Sequence, residues 1–164
     1  MKVVKFVSVV VLLVSIISCS TPEEKMKKYL TGKWETVFLK IEMPTYQRKD
    51  TLLEYDVDFT NPEDPRAKGM PVSFTIHNLD GTFETWQEKN GTSAGGITKG
   101  NWKTTLDSLY YVIGEGKKSF TVSFAVAKIE DGFSLRGIQD RDRDGEQDDI
   151  FYLETVRRPY PEEK

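Results

Sequence analysis

The sequence has little of the chemistry that builds disulfides, zinc sites or nucleic-acid interfaces. It contains one cysteine and one histidine in 164 residues, which excludes an intrachain disulfide and a zinc site made of Cys and His. Its 23 basic and 26 acidic side chains nearly balance, so no basic surface is expected to attract a nucleic acid. No apolar run reaches the roughly 20 residues that a membrane-spanning helix needs. The length instead suits one domain with a single core.

The first twenty residues have the organisation of a secretory signal. Lys2 and Lys5 precede residues 6–17, a stretch without charge, proline or glycine that has the length of a signal-peptide apolar region. The stretch ends in Ile-Ile-Ser-Cys at 16–19, which resembles the bacterial lipobox. That resemblance implies cleavage before Cys19 and acylation of Cys19, with palmitate among the expected chains. Two or three acyl chains anchor a protein stably, whereas one binds a membrane only marginally.

The lipobox also predicts a location and a set of boundaries. Without residues 1–18 the chain has 146 residues and a net charge of −5. Ser20 stands where inner-membrane lipoproteins commonly have Asp, and Glu23-Glu24 loosely resembles the surface-export tag of Bacteroidota lipoproteins. We therefore expect a lipid-anchored protein of the cell envelope, in the outer membrane, with its periplasmic or surface face left open. The predicted parts are a signal peptide at 1–18, an anchored segment with a short helix at 19–29, a barrel domain at 30–158 and a tail at 159–164.

The mature chain predicts one short helix followed by an all-β domain. Thr21 and Pro22 suit the start of a helix that ends before Gly32. From there the hydrophobic period is two, as expected for strands with one buried face. Nine strands are predicted, at 33–43, 52–59, 72–78, 82–88, 99–104, 108–113, 119–128, 132–139 and 150–157. Tight turns and the lack of a crossover helix favour an antiparallel up-and-down meander. We expect it to close into an eight- to nine-stranded barrel, with a two-layer sandwich as the alternative.

Three short motifs resemble lipocalins. They are Gly32-Lys33-Trp34 after the helix, Asp80-Gly81-Thr82-Phe83, and Gly100-Asn101-Trp102-Lys103. The first resembles the opening of the lipocalin superfamily, and the other two resemble the lipocalin-like domain of small Bacteroidota lipoproteins. The resemblance implies a lipocalin-like barrel, with Trp34 closing one end and Arg157 or Arg158 packed across its ring. It also implies a protein that holds a small hydrophobic molecule.

Alternation along the strands predicts which side chains face the interior. The predicted ligand-contacting residues are aromatic: Trp34, Phe74, Phe83, Tyr111, Phe120, Phe124 and Phe133. Ile76, Val122 and Leu135 are predicted to share that interior. An eight-stranded barrel either holds one small ligand or is filled by its own side chains. A filled barrel would act as a surface interaction or structural module. Trp86 is three residues after Phe83, so the two side chains lie on opposite faces of a regular strand. This predicts either a bulge between them or an outward-facing indole.

The segment 140–149 is the sharpest local motif. Asp recurs at every second position and a glycine follows, which suits a tight turn around a hard cation such as Ca²⁺. The predicted calcium ligands are Asp140, Asp142, Asp144, Glu146 and Asp148. Position 151 is Phe rather than the bidentate Glu of an EF-hand, and the flanks are strands. A solvated loop of alternating charge remains the alternative.

The sequence offers no catalytic residue. It contains no Gly-x-Ser-x-Gly, P-loop or dinucleotide-binding motif. His77 alternates with Phe74 and Ile76 and is therefore predicted to face solvent, with no orienting partner for general-base chemistry. We expect a protein that is not an enzyme.

Overall fold

The computed structural model describes residues 20–46, 49, 51–114 and 116–160. The predicted signal peptide, Cys19 and the last four residues of the predicted tail lie outside these described residues. Among the residues that the structure describes, no helix has both the length and the apolar character that crossing a membrane requires.

A capping box sets the start of helix α1, Pro22–Leu30. The hydroxyl of Thr21 accepts a hydrogen bond from the Glu24 amide, and the Glu24 carboxylate accepts one from the Thr21 amide. Pro22 occupies the first turn, where its missing N–H has no partner to lose. Met26 and Leu30 are buried, so the helix covers part of the core. The predicted short helix is confirmed.

Ten strands follow the helix, and the nine predicted ones are within one residue of their observed bounds. They are β1 Gly32–Met43, β2 Leu53–Asp58, β3 Val72–His77, β4 Thr82–Lys89, β5 Thr92–Ser93, β6 Thr98–Thr104, β7 Ser108–Ile113, β8 Phe120–Ile129, β9 Gly132–Gln139 and β10 Asp149–Arg158. A short 3-10 turn occupies Gly116–Lys118. The two-residue strand β5 was missed, because it lies in a glycine-rich stretch that predicts a loop.

The strands form a closed antiparallel barrel. Eight of them, β1, β3, β4, β6, β7, β8, β9 and β10, pair in a ring that the β1–β10 ladder closes. Strand β1 is long enough to pair with β3 through residues 32–35 and with β2 through residues 38–43. Strands β2 and β5 are additions to the ring. The predicted all-β barrel is confirmed, and the sandwich alternative is wrong because first and last strands pair.

The two ends of the barrel differ. At one, here called the helix end, α1 lies beside the first residues of β1 and contributes Met26 and Leu30 to a buried cluster. The rest of that cluster is Trp34, Phe83, Trp102, Leu109, Val126, Phe133 and Leu135. The other, here called the open end, is bordered by the connections 59–71 and 140–148. The core is therefore concentrated at the helix end.

Candidate functional site

The barrel interior contains a cavity of about 470 Å³. Most of its lining side chains are apolar or aromatic: Trp34, Leu39, Ile41, Tyr55, Phe59, Met70, Pro71, Phe83, Tyr111, Ile113, Val122, Phe124, Phe133, Leu135, Phe151 and Leu153. Ligand sites in proteins are commonly concave spaces of about 300–1,000 Å³ with mainly apolar walls. The interior is thus not filled by its own side chains.

Five of the seven predicted contact residues line this cavity. These are Trp34, Phe83, Tyr111, Phe124 and Phe133, and the predicted interior residues Val122 and Leu135 join them. They come from β1, β4, β7, β8 and β9, so the closed ring brings together side chains that are far apart in sequence.

Phe74 and Ile76 face outward, and the prediction that they face the interior is wrong. Their neighbours Ser73 and Thr75 line the cavity, and successive side chains of a strand point to opposite faces. Phe74 stacks on Trp86 outside the barrel, with ring centroids 5.6 Å apart, and Lys33 lies 5.2 Å from the Phe74 centroid. The ladder between β3 and β4 has no register shift, so the bulge alternative is wrong. Trp86 faces outward, as the other alternative predicts.

Phe120 does not line the cavity either. It is the first residue of β8, at the open end, and 57% of its surface is exposed. It shares the face of Val122 and Phe124 but lies beyond the part of the barrel that encloses space. The prediction is therefore correct about the face of β8 on which Phe120 lies, and wrong that Phe120 contacts the cavity.

Trp34 closes the helix end. Its side chain is 1% exposed, its Nε1 donates to the Leu30 carbonyl at 2.7 Å, and its ring meets Phe133 edge-on at 4.7 Å. The Arg157 guanidinium lies 4.3 Å from the centroid of the Trp34 ring and donates to the Thr31 carbonyl at 2.9 Å. A cation over an indole at such a distance is attracted by the ring quadrupole. The resemblance left Arg157 and Arg158 open, and Arg157 makes the contact, while Arg158 pairs with Glu35.

His77 is buried beside Trp102, and the prediction that it faces solvent is wrong. It is 1% exposed, with Nδ1 3.0 Å from the Leu30 carbonyl and Nε2 2.7 Å from the Tyr111 hydroxyl. A carbonyl only accepts, so Nδ1 holds the proton and Nε2 accepts from Tyr111. Burial lowers the pKa of His77 to about 4, and burial raises the pKa of Tyr111. His77 is therefore neutral, and its hydrogen bonds are part of the packing that closes the helix end of the barrel.

One wall of the cavity is polar. Ser73 and Thr75 of β3 and Thr85 and Gln87 of β4 line it. Thr75 and Thr85 are hydrogen-bonded through their hydroxyls at 3.1 Å, and Thr85 also donates to the Phe74 carbonyl at 2.9 Å. These hydroxyls are thus satisfied within the wall. The sequence shows that one face of β3 is polar. Such a face normally predicts side chains exposed to solvent, so the polar wall of the cavity could not be predicted.

The connection 140–148 brings together three carboxylates. One oxygen each of Asp140, Asp142 and Asp149 lie within 4.8 Å of one another. Asp149 is 1% exposed and accepts the backbone N–H groups of Arg141 and Asp142. Asp140 accepts from the Gly145 amide through Oδ2, while its Oδ1 is buried and has no hydrogen-bond partner in the described part of the chain.

The remaining predicted calcium ligands are not in this group. Asp144 accepts from the Glu146 amide at 2.8 Å, and Asp148 accepts from the Thr45 hydroxyl at 2.9 Å. Glu146 is exposed. Asp149 is the group member that was not predicted as a ligand. It lies in the 140–149 motif, just before the predicted strand 150–157, and the pattern does not show that the loop folds back onto that strand.

The fold and the cavity together define a small closed β-barrel with space inside it. No protein-family model, curated protein or solved structure matches this chain.

Proposed function

We propose that this protein is a non-enzymatic, membrane-anchored lipoprotein whose lipocalin-like barrel binds a small hydrophobic molecule. The observation that supports binding most directly is the cavity of about 470 Å³ inside the barrel. Transferring apolar surface of a ligand from water to such walls is worth roughly 25 cal/mol per Å² before the cost of association. The walls combine many apolar side chains with a few polar ones, which is the usual composition of a small-molecule site.

The interior chemistry favours binding over catalysis. Both ring nitrogens of His77 are engaged, by the Leu30 carbonyl and the Tyr111 hydroxyl. A general base needs a free nitrogen within reach of the proton it removes. No carboxylate is among the described residues that line the cavity.

The anchor is proposed from the lipobox at 16–19. Residue 20 lies just before α1, so an acylated Cys19 would hold the helix end near the bilayer. The open end lies at the opposite side of the barrel, facing the aqueous phase. A Cys19→Ala chain is expected to leave the membrane fraction and to lose its lipid mass, whereas retention of both would contradict the anchor.

A side chain that fills the cavity is expected to displace the ligand. Val122 lines the cavity and its neighbour Thr121 is exposed on the outer face of β8. We expect Val122→Trp to weaken ligand binding about tenfold or more, because the added indole takes cavity volume that the ligand needs, and overpacking a filled site costs about 1–3 kcal/mol. Native mass spectrometry of the protein purified from its own membrane measures the bound mass.

Thr121→Trp is the matched control, because it adds the same indole to the outside of the same strand. It is expected to retain the bound molecule at the wild-type level. Equal retention in both variants, or no bound mass in the wild-type protein, would count against a ligand in the barrel.

A second candidate function is calcium binding by the connection 140–148. Ca²⁺ takes six to eight oxygens from carboxylates, carbonyls and water, and the buried, unpartnered Oδ1 of Asp140 is the atom that favours a cation there. The ion would order the connection at the open end, which is a structural role.

Calcium is expected to stabilise the fold by about 2.7 kcal/mol at a hundredfold excess over its dissociation constant. Thermal unfolding with millimolar CaCl₂ measures this gain. Asp140→Asn should abolish it, and Glu63→Gln, which changes an exposed carboxylate elsewhere, should not. An unchanged melting temperature of the wild-type protein in calcium would end this proposal.

A further inference from the structure

The cavity has the opposite charge to the rest of the protein. The chain carries a net charge of −3, and the proposed mature form −5. Among the described residues that line the cavity, the single ionised side chain is Arg141. We infer that the ligand of the proposed barrel site is an amphiphile with one anionic head group, held by Arg141 at the open end, with its hydrocarbon part inside. This inference rests on the proposed function and deepens it.

Arg141 is placed where a head group would meet solvent. It follows β9 at the open end and is exposed, while its side chain also lines the cavity. The guanidinium lies 4.6 Å from the centroid of Phe151, another lining residue. A planar guanidinium stacked on an aromatic face keeps its edge donors free for a carboxylate or phosphate.

The guanidinium has spare donors. Its one hydrogen bond within the described residues runs from Nη1 to the Gln139 side chain, at 3.3 Å, and no ion pair engages it there. Five N–H donors are present in an arginine side chain. The guanidinium can therefore donate hydrogen bonds to a bound anion without breaking its hydrogen bond to Gln139.

The acidic neighbours of Arg141 are turned toward the loop itself. Asp140 accepts from the Gly145 amide, and Asp149 accepts from the amide of Arg141. Asp142 accepts from the Asp144 amide at 3.1 Å. None of these carboxylates lines the cavity, so an anion that reaches Arg141 from inside meets no carboxylate there.

The loop also holds Arg141 in place. Its backbone N–H donates to Asp149, which is 1% exposed at the start of β10. A side chain on a backbone that is tied to a buried carboxylate loses less freedom when it binds. The deeper walls next to it, such as Phe124 and Phe151, then take the hydrocarbon.

The test compares Arg141→Gln with Arg143→Gln. Both remove one positive charge from the same connection, but Arg143 is exposed and does not line the cavity. The probes are dodecanoate and dodecanol, which share a chain and differ in charge. Calorimetric titration uses the full lipid-modified chain in one nonionic detergent, so that probe partition into micelles cancels between the variants.

We expect Arg141→Gln to bind dodecanoate about tenfold more weakly than Arg143→Gln, because glutamine cannot form a charged hydrogen bond to the carboxylate. Arg141→Lys should recover part of this loss. Dodecanol should bind both variants equally, which also shows that both are folded.

Two results would overturn the inference in different ways. Equal dodecanoate affinity in the two variants, with dodecanol still bound, would show that Arg141 does not bind an anionic head group. The barrel would then be a site for apolar ligands. Failure of the wild-type protein to bind either probe removes the proposed function itself, and the inference with it.

Discussion

Replacing Trp34 by alanine is expected to lower the free energy of unfolding by about 3–5 kcal/mol, the range for a buried tryptophan. The indole is 1% exposed and closes the helix end of the barrel. It donates to the Leu30 carbonyl, packs edge-on against Phe133 and lies under Arg157. Alanine would leave a void among the helix, β1 and β9, and the surrounding strands are held by their ladders and cannot collapse into it. Urea-induced unfolding measures the change.

Trp86→Ala is the control, since it removes the same side chain from the outer surface. Trp86 is half-buried and stacks on Phe74, so its loss is expected to cost about 1 kcal/mol. The two variants separate closure of the barrel end from general loss of aromatic surface. Similar destabilisation in both would show that Trp34 does not close the barrel as the structure indicates.

Acidification is expected to destabilise the fold by about 3 kcal/mol between pH 6.5 and pH 4 through His77 alone, since each pKa unit corresponds to 1.36 kcal/mol. Burial lowers the pKa of His77 from 6.5 to about 4 in the folded chain. Between these values the unfolded chain binds a proton at this residue and the folded chain does not. The contribution of His77 to the free energy of unfolding is therefore full above pH 6.5 and is lost as the pH falls toward 4.

His77→Gln is expected to remove most of this pH dependence. A glutamine does not titrate, yet its amide offers a donor for the Leu30 carbonyl and an acceptor for the Tyr111 hydroxyl. Urea unfolding of both proteins at several pH values from 7 to 4 gives the difference. Asp58, Asp64 and Asp80, whose pKa values are lowered by hydrogen bonds, contribute equally to both proteins and cancel. Parallel pH profiles for the two proteins would refute the buried, neutral state of His77.

Local patterns determined most of the secondary structure. The Thr21-Pro22-Glu23-Glu24 run specifies a helix start by short-range hydrogen bonds, which depend on adjacent residues alone. Nine strands follow from alternation and turn residues for the same reason. The resemblance carried by the Gly-x-Trp motif predicted that Arg157 or Arg158 packs across Trp34. The ladder between β1 and β10 selects Arg157, because it places that residue opposite Trp34.

The inward face of each strand was harder to predict. Alternation shows that Phe74 and Ile76 share one face of β3 and that Ser73, Thr75 and His77 share the other. It does not say which face is inside. Here the polar face lines the cavity, because His77 and the threonines find hydrogen-bond partners within the barrel. Phe74 is covered from outside by Trp86 and Lys33, which are brought to it by pairing with β4 and β1.

Patterns in the chain were thus enough to predict the helix, nine of the ten described strands, their order and the all-β class, since those depend on periodicity and on neighbours in the chain. Tertiary structure alone decided that the interior is a cavity rather than a solid core, that Arg141 lies at its open end, and that Asp149 joins Asp140 and Asp142. These features depend on how strands far apart in sequence close into a ring and how one loop folds back. No local pattern carries that information, because the distances involved are set by the closure of the whole barrel.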